Sequence, residues 1–290
     1  MWDPIDPLLF DQTLQYVNKK FFVRPLQELL FEKKICSTKP LAAITFDDGY
    51  KDFIEYALPI LDKYNNKASM YIISGCIDKN LPTWTYTIDY LFSKTQKLDW
   101  KNFDFPELPV EFLTTYWKNA NERIEYGKKI KQYLKKIPAA KREKIIESML
   151  LNFDDIKRPN GLMMSWDEIK QLHNSGIEIG SHSVTHPTLA TIEDENLIEF
   201  ELKASASTIK EMTGITPDIF SYPIGSYDER VKRLVKKAGY KGALAVNQKI
   251  YNPVTMDLFE IPRIEFYNES WIKTKARANG MISYINKLKS

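Results

Sequence analysis

The sequence predicts an α/β protein: a parallel sheet with helices packed outside it, curled into a distorted (β/α) barrel with parallel strands. Three observations predict this. Short apolar runs bounded by polar residues recur between Leu41 and Phe266. Helical patterns separate them, and repeated strand-then-helix order requires parallel pairing through crossover helices. A chain of 290 residues with 43% hydrophobic content fills one barrel of this kind. The expected organisation is one domain over residues 1–290, with a helical insertion at about 78–160.

Each element follows from local pattern. Residues 11–34, "DQTLQYVNKKFFVRPLQELLFEKK", read as helical segments leading into the first strand. "LAAITF", Leu41–Phe46, is a short apolar run of the type buried on both faces. Phe53–Tyr64 is helical, disturbed at Pro59, and "KASMYIIS" is the second strand. From about Asp78 to Asn160 no clear strand occurs. Within it the basic stretch Lys118–Lys144 reads as a solvated helical face. Alternation then resumes. "SWDEIKQLHNSG" opens on a capping box, Ser165 with Glu168, and closes on Gly176. "IEIGSH" is a strand, and the helix after it stops at Gly214. "DIFSYP" is a strand, "DERVKRLVKKAGY" a helix ended by Gly239, and "GALAV" and "IPRIEF" are strands. The tail Glu269–Lys289 is helical.

Bulk properties narrow the function. A net charge of +3 gives no argument for a nucleic-acid partner. Cys36 and Cys76 fit neither a metal-finger spacing nor a disulfide framework and read as free thiols. No run approaches the roughly 18 apolar residues of a membrane span. The start, "MWDPIDPLLFDQTLQ", has acids and prolines where a signal peptide needs a basic patch and an apolar run. The expected location is therefore cytoplasmic, although a chain trimmed of an upstream signal would read the same.

Chemistry gathers where barrel strands end and their loops begin. Three polar groupings sit there: Asp47-Asp48, the pair His182 and His186, and "FSYPIGSYD". Two imidazoles four residues apart on the rim, with one carboxylate, suit a divalent metal. Such a set leaves positions open for water and substrate, the layout of a catalytic site. One aspartate would bind the metal and the other would be free to take a proton from the attacking water. Neighbours along a strand point in different directions, so adjacent aspartates can serve different partners. Gly49 allows a sharp exit from the strand or lets the loop pack.

"TFDDGY", "SHSVTHPTL" and "FSYPIGSYD", in that order, resemble the polysaccharide deacetylase family, the NodB-homology group of carbohydrate esterases. The flanking "ALPILDKY", "MSWDEIKQL" and "DERVKRLVKKAGY" match as well. The resemblance spans roughly Asp11–Phe266 and implies a NodB-type barrel that removes N-acetyl groups from amino sugars. It implies Asp47 as general base, and Asp48, His182 and His186 as ligands of a divalent metal, usually zinc. It implies a backbone N–H at Ile224, where members usually carry tyrosine, as an oxyanion donor. Tyr222 and Pro223 beside it, and Trp84 in the insertion, are the expected substrate-binding residues, with Tyr86 and Tyr90 as further rings for a sugar face.

The chain also departs from the family. Ser221 or Tyr222 stands where many members carry the arginine that orients the base, and Arg263 in "EIPRIEF" is the expected replacement. The late Leu-x-His motif, whose histidine protonates the leaving amine, is missing. The acid is His173, another side chain, or solvent. The expected partner is a carbohydrate bearing an N-acetylated sugar, in a step of cell-surface glycan biosynthesis. An amidase or deformylase acting on a small amide or nucleotide-linked sugar, and a non-catalytic carbohydrate-binding relative, are the alternatives.

Overall fold

The structure is a computed structural model and describes residues 4–32, 35–99, 108–112 and 116–281. Helices α1 (Pro7–Lys20) and α2 (Leu26–Phe31) flank a short strand, β1 (Phe22–Val23), that sequence reading missed. The run Leu41–Phe46 is not one strand but parts of two. β2 (Leu41–Ala42) pairs with β1, and β3 (Thr45–Asp48) opens the main sheet. β3 is only half-buried because it is an edge strand. The pattern expected of it, burial at every position, belongs to β4 (Ser69–Ile72) and β7 (Gly242–Ala245) inside the sheet.

The main sheet runs β3, β4, β5 (Glu178–Ser181), β6 (Ile219–Ser221), β7 and β8 (Ile261–Pro262), all parallel and in chain order. Flat, six strands at about 4.8 Å spacing would hold their edges roughly 24 Å apart. Yet Arg263, directly after β8, hydrogen-bonds Asp47 of β3. The sheet is therefore curled into a half-barrel whose open seam is bridged by side chains. Asp47, Tyr71 and Gly180 lie side by side in the register and share the inner face. A Cβ on Gly180 would meet the Tyr71 ring at 2.3 Å, so the missing side chain makes room for that ring. Tyr71 packs there with Leu26, Ile219, Leu244 and Ile261.

Outside the sheet, a π-helical turn over Phe53–Ala57 runs into α3 (Leu58–Lys63). Pro59 sits where the π-helical turn passes into α3, inside a helix that continues from Phe53, so its ring removes one donor from the ladder there. Helices α4 (Ser74–Lys79) and α5 (Trp84–Lys94) follow β4. α6 (Ala120–Leu134) and α7 (Ala139–Asn152) pack with α5 around an apolar cluster containing Phe92, Trp117, Tyr126, Ile130 and Met149. α8 (Trp166–Asn174) carries the Ser165–Glu168 capping box, and Gly176 after it takes φ +93°. α9 (Glu195–Thr213) ends on Gly214 at φ +81°. α10 (Glu229–Lys237) precedes β7, and α11 (Trp271–Ala278) covers part of the helical tail. The rest of that tail, from residue 282, lies outside the described residues.

The basic stretch 118–144 is not simply a solvated face. Arg123 and Arg142 are 4% and 2% exposed. Arg123 donates to the carbonyls of Phe92 and Lys97 and so ties α6 to the end of α5. Among the described residues, no helix is long and apolar enough to cross a membrane.

Candidate active site

The strand order brings the three sequence motifs to one rim. Asp47 and Asp48 end β3, His182 follows β5, Ser221 ends β6 and Arg263 follows β8. Arg263 donates two parallel hydrogen bonds to Asp47, at 2.8 Å to Oδ1 and 2.7 Å to Oδ2. Its Nη2 also donates to Ser221 Oγ at 3.0 Å, and that hydroxyl donates to Asp47 Oδ2 at 3.3 Å. The guanidinium is thus within hydrogen-bond reach of both Asp47 and Ser221. Asp48 takes φ +77° and sends its carboxylate elsewhere, with Oδ1 3.4 Å from His182 Nε2 and 3.6 Å from His186 Nε2. A Cβ on Gly49, at φ +89°, would meet Ile77 and Ile72 at 3.1 and 3.2 Å, so the glycine serves both turn and packing.

The donor set fits a divalent cation. Ligand atoms of Asp48, His182 and His186 all lie within 4.8 Å of one another. Ligands held at about 2.1 Å in a tetrahedral shell stand roughly 3.4 Å apart, close to the two Asp48–histidine separations. His182 Nδ1 lies 2.7 Å from the Ser221 carbonyl oxygen, which only accepts. Nδ1 therefore carries the proton and the Nε2 lone pair faces Asp48. Burial lowers the pKa of both imidazoles, His186 well below the usual range, so both are neutral and able to ligate.

The two aspartates are electrically different. Burial alone would raise Asp47, but the charge of Arg263, together with its hydrogen bonds, holds its carboxyl down at about 2. Burial, and then the charge of Asp47, push Asp48 up to about 8. A buried carboxylate in that state lacks a cation beside it, and the two neutral imidazoles do not supply one.

The loop that carries both histidines is braced from three sides. Glu201 of α9, 7% exposed, accepts from the amides of Val184 and Thr185 at 2.8 and 2.9 Å. It also accepts from the Thr185 hydroxyl at 2.6 Å. The amides of Ser74 and Gly75, opening α4, donate to the carbonyls of Ser183 and Val184. From α5, the Trp84 indole N–H donates to the His186 carbonyl at 3.0 Å. His186 takes φ +58° and Ser183 φ +72°, conformations that persist only where surrounding contacts fix them.

Three substrate-binding expectations need correction. Tyr222 is fully buried; its phenol donates to the Phe259 carbonyl and its ring stacks on Tyr227. Pro223 is buried as well. Both anchor the turn from beneath instead of meeting a ligand. Trp84 braces His186, and the Arg142 guanidinium covers its ring at 4.7 Å. Ile224, by contrast, lines a cavity of about 260 Å³ together with His186, Tyr86, Asp89, Lys131 and Lys135. It takes φ +59°, rare for a β-branched residue. Gly225 and Ser226 donate their amides within the turn, whereas the Ile224 N–H has no partner among the described residues. Tyr86 stacks on Tyr90 with centroids 6.2 Å apart. His173 sits exposed on α8.

Sequence reasoning missed Glu201 and the indole of Trp84. Glu201 carried a signal: it is the one acid on the stripe Ile198, Leu202, Ser205 and Ile209 that buries α9. The Trp84 contact joins residues 102 apart in sequence and left none.

A curled half-barrel thus carries a His-His-Asp set at its rim. A family model described as polysaccharide deacetylase matches residues 34–243, and the chain belongs to that family. Chitin deacetylase 1 of Cryptococcus neoformans var. grubii is 35% identical over 65 residues, 22% of this chain and only 14% of that protein. Among solved structures, the Streptococcus pyogenes deacetylase PplD, determined with acetate, superposes with a TM-score of 0.60 at 16% identity. That match covers 98% of this chain and 88% of the other. IcaB from Ammonifex degensii gives 0.60 at 18% identity, covering 94% and 89%. At these identities the two structures speak for the fold.

Proposed function

We propose that the protein removes N-acetyl groups from amino sugars of a polysaccharide or glycan precursor by metal-assisted hydrolysis. The observation that carries this reading is the adjacency of two unlike aspartates: Asp48 faces the two histidines and Asp47 is clamped by Arg263. Membership of the polysaccharide deacetylase family supports it, as does the likeness to a chitin deacetylase.

Asp48, His182 and His186 would hold the cation, zinc by the nature of the donors. When bound, such a cation supplies Lewis acidity toward the acetyl carbonyl and acidifies water into a nucleophile near neutral pH. Asp47, ionised throughout the neutral range, accepts the proton of the attacking water. Its Oδ2, 3.8 Å from His182 Nε2, is the oxygen nearest the centre. Arg263 and Ser221 fix that oxygen, so proton acceptance needs no side-chain rearrangement. The free Ile224 N–H is available to the developing oxyanion. A cavity of about 260 Å³ suits one sugar ring more than a length of chain, so the acetylated residue enters singly. The reaction would serve a cytoplasmic step of surface-glycan assembly.

The test is acetate release from N-acetylglucosamine oligomers, read beside metal content. Asp47→Asn is expected to lower turnover by about 10²–10⁴-fold while metal is retained. Asp48→Ala is expected to lose the metal. Unchanged turnover in Asp47→Asn would remove it as base. Release of acyl groups from small amides alone would move the reading to an amidase.

A further inference from the structure

Hydrolysis of an acetamide needs a proton at nitrogen, because an amine anion does not leave. Asp47 takes a proton from water, and this step does not provide one at the nitrogen. The histidines do not fill the role: His182 and His186 turn to Asp48, and His173 stands exposed on α8. The cavity beside the site holds two further cations, Lys131 and Lys135, both from the end of α6. Lys131 is committed, with its Nζ 2.5 Å from Asp89 Oδ2 and the two side chains 14% and 9% exposed. Lys135, the C-cap residue of α6, is half-buried and forms no ion pair among the described residues.

Lys135 lines the same cavity as His186 and Ile224, and its charge is felt at His186. Asp47 lies against His182, the other imidazole. Lys135 and Asp47 thus bracket the histidine pair, the arrangement expected of separate acid and base. Burial, and then the charge of Lys131, weaken the hold of Lys135 on its proton, with Asp89 and Glu265 opposing.

We propose that Lys135 is the proton donor to the leaving amine. The inference rests on the deacetylase reading of this site. In the step, the C–N bond of the tetrahedral adduct breaks and its electron pair takes a proton from Lys135 Nζ. The carbonyl re-forms as acetic acid, which loses its remaining hydroxyl proton to solvent as acetate, and the sugar leaves as a free amine. Through solvent, the proton taken up by Asp47 replaces the one given by Lys135, so the cycle balances.

The experiment compares wild type, Lys135→Met and Lys135→Arg on two substrates: triacetylchitotriose and 4-nitrophenyl acetate. The phenolate of the ester leaves without a proton. Arginine keeps the positive charge but does not release its proton. Both variants are expected to lose at least about 100-fold in kcat/KM on the amide, with the ester within about threefold of wild type. Zinc content by mass spectrometry is expected to stay at the wild-type level. Amide hydrolysis retained in Lys135→Arg would overturn the proposal, since charge alone would then suffice. Parallel loss on both substrates would also overturn it, as the mark of a structural role. Wild type that releases no acetate from the sugar would instead sink the deacetylase reading itself.

Discussion

Asp47 lies on one edge strand of the six-stranded sheet and Arg263 directly after the other, yet the guanidinium grips both carboxylate oxygens at 2.8 and 2.7 Å. The contact does two jobs. It closes the seam of the half-barrel, and it keeps the proposed base ionised.

Arg263→Met should therefore act on stability and turnover together. The side chains are 13% and 26% exposed, so the lower end of the range for breaking a buried pair applies, about 3 kcal/mol. Asp47 would lose its main counter-charge and its carboxyl would titrate higher. Chemical denaturation should register the first effect and acetate release the second. A variant with wild-type stability would mean that the seam closes without this pair.

The carboxyl of Asp48 predicts a pH dependence for the metal-free protein. Its folded pKa, pushed up to about 8, lies above the unfolded carboxylate value of 3.8. Between those values the folded state binds the extra proton, so stability falls as pH rises. Asp47, held at about 2, contributes in the opposite sense, and its contribution is lost only below about pH 4. His182 and His186, lowered in the folded state, make stability rise with pH below about 6.5, so with chelator present the Tm should fall only from about pH 7 to pH 8, and Asp48→Asn should flatten that fall. Added zinc should raise the Tm most at the alkaline end. A flat profile in wild type would contradict this assignment.

Trp84→Phe and Glu201→Gln test the bracing of the histidine loop. The first removes the N–H that meets the His186 carbonyl, and the second weakens the acceptor of two amides and a hydroxyl. Loss of partners behind metal ligands typically weakens binding about 10–100-fold. Competition titration against a zinc chelator should find each variant in that range. Wild-type affinity in both would mean that the loop holds its shape without them.

Gly180→Ala places a methyl 2.3 Å from the Tyr71 ring. Overpacking of this kind is expected to cost about 1–3 kcal/mol. The double variant with Tyr71→Phe should not recover it, because the clash is with ring carbons. Recovery on Tyr71→Ala, which removes the ring, would locate the conflict.

Much of this was legible before any coordinates. Five of the six strands of the main sheet fell within the runs read as strands, and β3 overlaps one, because strands inside a parallel sheet are buried at nearly every position and bounded by polar turns. Asp47, Asp48, His182 and His186 were legible for a related reason: strand ends fix where loops gather. Three things were not. The division of Leu41–Phe46 depends on which neighbours its two halves find, and periodicity does not encode neighbours. Tyr222 resembled a surface ligand because it adjoins the turn, while its burial follows from Phe259 and Tyr227 arriving from elsewhere. The lysines of α6 fell together within a stretch read as one solvated face, and only the packing of α5 separates Lys131, tied to Asp89, from Lys135, facing the cavity.

Trp84 opens α5, and the carbonyl its indole grips belongs to His186 of the rim. An ornament that only decorated the barrel would be exchangeable, like a tool head on a common handle. This one is wired to the centre. Swapping α5–α7 for the equivalent segment of another deacetylase would retune the cation along with the substrate, so any grafted specificity has to bring its own anchor for that loop.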